Sequence, residues 1–408
     1  MITKFLPKVY RLKNKIQNYS WGTKNDLAYI PKLIGIKPEE NIPYAELWIG
    51  THKNLPSEIY IENQLFPLDK IIKKFPKEIL GEFVSGKFNN KLPFLLKILS
   101  IGQALSIQAH PNKELAKLLH LKDPVNYPDD NHKPEIAIAI DELELIVGVK
   151  SFKDFIATIT KYPVLKDSLN IAISVTDNKY SKTEQERIIK KIYSDIMFLS
   201  NQKLDNIIIS LVKQFEKNSH LTLEEKEFLV QYQQFGVDIG LLSILLFNYL
   251  KLGKDEAIFT TAGIPHAYLR GNIIECMANS DNVVRAGLTK KYKDIPTLLE
   301  MLNYNFNSLQ IIKNNDKQIY KYPKMTDEFE ITMYNLQKGL THIEDDNDSI
   351  VIILVLENEI QIETEKDLKQ ESINITKGEV VLIPANLNYY KIFANNNSKF
   401  ICVSVPKN

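Results

Sequence analysis

Cys276 and Cys402 are the only cysteines in 408 residues. That is too few for a disulfide framework or a cysteine-rich zinc site, and a reducing, cytoplasmic setting is expected. No apolar run approaches the roughly 18–20 residues that a membrane helix requires. The opening Met1-Ile2-Thr3-Lys4-Phe5-Leu6-Pro7-Lys8 lacks a signal peptide's apolar segment and small-residue cleavage site. An excess of either charge is missing too, since 51 lysines and arginines meet 50 acidic residues. Neither nucleic acid nor a membrane surface is therefore expected as a partner. Tryptophan is scarce: Trp21 and Trp48 default to buried or loop anchors. What remains is an ordinary globular balance, 44% hydrophobic and 25% charged, in a chain long enough for two or three domains.

The stretch with most chemistry is Leu105-Ser106-Ile107-Gln108-Ala109-His110-Pro111. As a strand it puts Leu105, Ile107 and Ala109 on one face and Ser106, Gln108 and His110 on the other. His132-Lys133-Pro134-Glu135 follows, leading into Ile136-Ala137-Ile138-Ala139-Ile140, which buries its isoleucines and turns Glu135 and two small alanines the other way. Two neighbouring strands that present Gln, His and Glu suit a divalent metal; a solvated sheet face explains the same pattern. Tyr44 to His52 reads as a strand with Glu46, Trp48 and Gly50 on one side, after a turn at Asn18–Gly22. Residues 66–90 look helical. Leu92 to Ser100 is an apolar strand carrying Lys97, which either snorkels to water or faces an anion.

From about 151 to 252 the period becomes helical. Ser181/Glu184, Thr183/Glu186 and Thr222/Glu225 have capping-box spacing, and Ile239 to Leu250 reads as a buried helix. Strands return at Ala257. Gly263-Ile264-Pro265-His266 places a histidine after a turn. Asp281, Arg285, Lys290, Lys291 and Lys293 form either a salt-bridged loop or an anion-binding rim. The last hundred residues alternate like an antiparallel sheet, with Gly378 and Pro384 at a spacing found in jelly-roll turns and no histidine at ligand spacing. The expected architecture is mainly β: two jelly-roll barrel units flanking a helical insert. Residues 1–150 with 253–310 form the first unit, 151–252 the insert and 311–408 a second barrel without a metal.

The segments YAELWIGTH (44–52), LPFLLKILSIGQALSIQAHPNKELAKLLH (92–120), HKPEIAIAI (132–140), GIPHAYL (263–269) and ECMANSDNVVRAGLTKKYKD (275–294) resemble the zinc-dependent, cupin-type phosphomannose isomerases of type I. Residues 160–200 and 338–375 match poorly, and nothing is carried onto them. The resemblance implies one zinc ion per chain on Gln108, His110, Glu135 and His266, with Arg285 as an active-site residue. It places substrate and phosphate contacts at Ser106, Lys97 and Lys291, and pocket walls at Trp21, Glu46 and Tyr268. Lys290 stands where the family usually has proline, and GTHKNLPS replaces the commoner GTHPSGPS. The activity implied is interconversion of mannose 6-phosphate and fructose 6-phosphate through an enediol(ate), supplying GDP-mannose synthesis. Base candidates are Lys133, Glu275 and Asp281; Lys133 with Asp281 is favoured, and His132 is suited to ring opening. An isomerase of another phosphorylated sugar, a cupin dioxygenase and a non-catalytic sugar-phosphate binder are the alternatives. Oligomeric state stays open between monomer and homodimer.

Overall fold

The computed structural model describes residues 3–171, 180–305, 309–315, 317–366 and 369–407. Most of its strands assemble into two large antiparallel sheets. The eleven-stranded one runs Ile311–Ile312, Ala257–Thr260, Glu135–Ala139, His266–Ala278, Phe94–Ile101, Glu46–Gly50, Lys15–Gln17, with four further strands beside the first half of His266–Ala278. That strand is the hub. Its second half lies between Glu135–Ala139 and Phe94–Ile101. Its first half pairs with Leu143–Val149 and bridges at His266 to Ile107–Ala109. Gly271 sits where the partners change: its φ is 123°, and a Cβ there would meet the Glu142 carbonyl oxygen at 2.5 Å. Only glycine lets the strand pass so close to another backbone.

Period-two alternation gives this sheet two different faces. Leu47, Ile49, Leu96, Ile98, Ile136, Ile138, Ile274 and Cys276 belong to one large core. They pack there with Leu12, Ile59, Ile331, Ile352, Leu354, Leu382 and Ile401 from the eight-stranded sheet. The opposite face of that second sheet, including Val351, Ile353, Val381 and Phe400, buries against Ile360, Ile362 and Ile392 of a four-stranded sheet. Removing a large side chain from such a core typically costs about 2–5 kcal/mol.

The eight-stranded sheet recruits both ends of the chain. Tyr10–Lys13, Glu58–Ile61 and Gln64–Pro67 extend strands drawn from 319–404, with Tyr10 opposite Leu382. Hydrogen bonding therefore crosses the line between residues 1–150 and 311–408. Closed barrels were expected, but among the described residues no sheet's strand order returns to its start. The result is stacked open sheets with helices. Alternation reveals which face of a strand is apolar, not whether its sheet closes.

Between Leu143–Val149 and Phe247–Leu252 the described chain is helical, from Phe152–Lys161 to Gly240–Leu246. Ser181 and Thr222 form complete capping boxes with Glu184 and Glu225; the Thr183/Glu186 spacing falls inside the helix Lys182–Met197 instead. The buried helix expected over Ile239–Leu250 stops at Leu246. From Phe247 the backbone pairs with Leu143–Val149 instead, because an apolar run alone does not distinguish helix from strand. Residues 66–90 split likewise into the end of a strand and three short helices separated at Phe75 and Gly81. No helix among the described residues is long and apolar enough to cross a membrane, and both cysteines are free.

Gly378 has φ 81°, and a Cβ there would lie 2.2 Å from the Leu33 carbonyl oxygen. Gly378→Ala should lower unfolding free energy by about 2–4 kcal/mol through a strained φ and a backbone clash. Denaturant titration checks this; an unchanged midpoint would contradict it.

Candidate metal centre and active-site face

The second face of the eleven-stranded sheet is the unusual one. Directly paired residues in an antiparallel sheet share a face. The register sets Ala137 opposite Glu275, Glu275 opposite Lys97, and Lys97 opposite Trp48. Glu135 and Glu46 lie on the same face, two residues along their strands from Ala137 and Trp48. The face thus carries Glu46, Lys97, Glu135 and Glu275, all buried. Buried charge is tolerated only when paired, and here it is. Lys97 Nζ lies 3.2 Å from Glu275 Oε2 and 3.6 Å from Glu46 Oε2, over the Trp48 ring. Burial would lower the Lys97 pKa, but Glu46 and Glu275 outweigh it and raise it. Burial pushes the Glu275 carboxyl upward against the pull of Lys97. Lys97, a phosphate contact by resemblance, is thus an ammonium already held by two carboxylates.

At the end of this face Glu135 meets two histidines. Its Oε2 lies 3.4 Å from His110 Nε2 and 3.2 Å from His266 Nε2, and its Oε1 lies 2.9 Å from Lys133 Nζ. His110 Nδ1 donates to the Asn282 carbonyl at 2.7 Å, and His266 Nδ1 to the Ile264 carbonyl at 3.0 Å. Each backbone carbonyl fixes the proton on Nδ1 and leaves the Nε2 lone pair open, the usual arrangement of a metal-ligating imidazole. Both Nε2 atoms are buried without a hydrogen-bond donor among the described residues, Thr260 Oγ1 and Tyr268 Oη are buried without a partner there, and the Glu135 oxygens have only the ion contacts just given. So many orphaned polar atoms in one place call for a ligand. One ligand atom from each of His110, Glu135 and His266 lies within 4.8 Å of the others, close enough to share an ion. Burial lowers the His110 pKa to about 4, with Lys133 adding to it against Glu135. Burial also opposes ionisation of Glu135, but Lys133 and His110 hold its pKa well below the ordinary range. A neutral imidazole and an ionised carboxylate are the metal-binding forms.

Gln108 stands opposite both His266 and Arg285, so its side chain is on their face. The strand around it is shorter than expected, Ile107–Ala109, and leaves Ser106 and His110 just outside. It is not a neighbour of Glu135–Ala139. The strand His266–Ala278 pairs with both and contributes His266 itself, an arrangement invisible when only two of three strands are considered.

Arg285 is half-buried, with its pKa pushed down by burial and no acidic partner among the described residues. Asp281 turns instead to His52 Nε2 at 2.8 Å and Lys53 Nζ at 3.5 Å. Burial would raise the Asp281 pKa, yet the bond from His52 brings it down to about 2. Lys133 and Asp281 therefore ion-pair elsewhere, with Glu135 and with His52 and Lys53. Lys293 lies 3.6 Å from Asp238, while Lys290 and Lys291 are exposed. Trp21 stacks with Tyr19 at 6.0 Å; burial and then the nearby Glu46 raise the Tyr19 pKa. His132 Nε2 meets Glu328 Oε1 at 2.7 Å.

Sequence reasoning missed His52, Tyr19, Thr260 and Asn282. His52 was within reach: the parity that places Glu46, Trp48 and Gly50 together continues to it. Thr260 is found only from the pairing that sets it opposite Glu135.

The model for "Phosphomannose isomerase type I, catalytic domain" matches residues 9–152. The chain is 34% identical over 402 residues to Mannose-6-phosphate isomerase 2 of Arabidopsis thaliana, covering 94% of this chain and 90% of that protein. Among solved structures, an arginine-to-alanine mutant of phosphomannose isomerase from Salmonella typhimurium superposes with a TM-score of 0.83 at 27% identity, over 97% of this chain and 99% of that one. A zinc-bound mannose 6-phosphate isomerase gives the same TM-score and identity over 98% and 100%.

An ordinary imidazole titrates near about 6.5, whereas folded His110 titrates near 4. Between those values the unfolded chain binds the extra proton, so stability rises with pH across the window. Metal-free protein should lose stability as pH falls from about 6.5 toward 4, and His110→Gln should flatten that dependence. Denaturant titrations of chelated wild type and variant at pH 7 and pH 5 decide it, and equal slopes would contradict the assignment.

Proposed function

The chain belongs to the type I phosphomannose isomerase family, and on that footing we propose that it interconverts mannose 6-phosphate and fructose 6-phosphate with one bound zinc ion. The observation that carries the proposal is the convergence of His110 Nε2, His266 Nε2 and Glu135, all buried, without a competing hydrogen-bond donor on either imidazole nitrogen. Gln108, on the same face as His266, would complete the ligand set. These are first-row metal ligands, and an amide oxygen, a carboxylate and two imidazoles suit zinc with a position left for water or substrate. When bound, the metal acts as a Lewis acid toward sugar oxygens.

The chain's own residues then have separate tasks. Lys133 is assigned as the group that moves the proton between C2 and C1 through an enediol(ate), and Asp281, itself held by His52 and Lys53, acts on it only through charge at longer range. Arg285 has no acidic partner among the described residues and is too basic to take a proton, so it stabilises developing oxyanion charge or grips the substrate. Ser106 and Lys291 are assigned to the phosphate rim, which provides binding energy remote from the reacting carbons. Trp21, Glu46, Tyr268, Glu275 and the carboxylate-held Lys97 line the pocket. His132 assists ring opening.

The cupin-type division is retained as a proposal: residues 1–150 with 253–310 catalytic, 151–252 a helical insert, and 311–408 a sheet unit without a metal. We place the enzyme in the cytoplasm, supplying mannose 6-phosphate for nucleotide-sugar synthesis.

A coupled assay on purified protein should show conversion of mannose 6-phosphate to fructose 6-phosphate, loss on chelation and recovery with zinc. Folded, zinc-loaded protein with no turnover would shift the reading to another phosphorylated sugar or to a binding-only role. Lys133→Met should retain zinc and sugar-phosphate binding while C2 proton exchange with solvent falls about a hundredfold or more. Exchange near the wild-type rate would remove Lys133 as the base.

A further inference from the structure

Glu328 lies far along the chain from every assigned site residue, just before the strand Glu330–Leu336. Its carboxylate is nonetheless buried, with the residue 4% exposed, and it reaches the segment that leads into Glu135. Oε1 lies 2.7 Å from His132 Nε2, while Thr326 Oγ1 donates to Oε2. Burial would favour the neutral acid, but the bonds from His132 and Thr326 prevail and hold the pKa below the ordinary carboxylate range. An ionised carboxylate only accepts, so the proton of a neutral His132 sits on Nε2. Nδ1 is then a bare lone pair with no partner among the described residues. The imidazole is still about a quarter exposed, and the next residue is Lys133, whose ammonium touches Glu135.

We propose that Glu328 is a positioning residue: it locks the His132 tautomer and ring so that Nδ1 serves the opening of the sugar ring. The inference rests on the isomerase reading above and adds a residue from outside the catalytic segments. In the step, His132 Nδ1 takes the proton from the O1 hydroxyl as C1=O1 forms and the C1–O5 bond breaks. The same imidazole returns that proton to O5, which becomes the hydroxyl of the open chain. Both oxygens are bonded to C1, so one nitrogen can serve both. Atoms and charge balance without a further reactant. Deleting the carboxylate frees the ring to rotate and to carry its proton on either nitrogen.

The test uses the full-length, zinc-loaded protein. Exchange between the α and β anomers of mannose 6-phosphate, followed by NMR exchange spectroscopy, reads ring opening without isomerisation. Glu328→Ala should lower enzyme-accelerated anomer exchange and kcat together by roughly tenfold to a hundredfold, the range for residues that orient a functional imidazole from behind. KM and zinc content should stay within about twofold of wild type, as expected when only a later interaction is lost. Glu328→Gln, whose amide oxygen still accepts from Nε2–H, should recover most of the loss. Wild-type anomer exchange in the alanine variant, or equal losses in both variants, would overturn the proposal. If the alanine variant does not fold, 15N NMR of wild-type histidines, assigned with His132→Asn, still decides. An Nε2–H signal supports the inference, and an Nδ1–H signal overturns it. Absence of mannose 6-phosphate turnover in wild type would instead remove the isomerase reading, which is a separate failure.

Discussion

A carboxylate that is almost wholly withdrawn from water must be surrounded by charge that keeps it ionised, and Glu135 sets that condition for the rest of the site. It is 1% exposed and has two imidazoles and an ammonium within 3.4 Å. Across its face Lys97 and Lys133 oppose Glu46, Glu135 and Glu275, two positive charges against three negative. That imbalance costs energy in a low-dielectric interior. A divalent cation would turn the balance from one negative to one positive. A face of net positive charge, with Arg285 beside it, then favours a phosphorylated anion.

The sheet that carries these groups supports them by the same alternation that makes it fold. One face of the strands Glu46–Gly50, Phe94–Ile101, Glu135–Ala139 and His266–Ala278 is aliphatic and packs on the eight-stranded sheet. The other face holds the charges. A one-residue register slip would exchange the two sets, so the apolar core fixes the position of every catalytic candidate on these strands. Backbone carbonyls finish the arrangement by fixing His110 and His266 in the tautomer that frees Nε2. The precision of the centre follows from strands and packing, with little left to mobile side chains.

Much of this was legible in the chain. Alternation in SIQAH and HKPEIAIAI predicted which side chains share a face of each strand but made the two strands neighbours, whereas His266–Ala278 lies between them; the family segments added His266 and Arg285. The same logic carried two residues past Gly50 would have found His52. Other features had no local signal. The open sheets, the entry of Tyr10–Lys13 into a sheet of C-terminal strands, and the contact from Glu328 to His132 depend on pairings between residues far apart in the chain, 196 positions for Glu328 and His132. The run Ile239–Leu250 failed for a related reason. Its apolar pattern was compatible with helix or strand, and the available edge of Leu143–Val149 decided the outcome.

The sequence by itself determined the faces of the strands, the helical caps at Ser181 and Thr222, and the residue types offered to a metal, because these depend on periods of two or 3.6 and on local hydrogen bonding. Tertiary structure alone decided which strands are neighbours, which charges neutralise one another, and which remain free. Lys97 became a carboxylate-held ammonium, while Arg285 has no acidic partner among the described residues. Coulomb energy and desolvation depend on distances in space, and no spacing along the chain contains them.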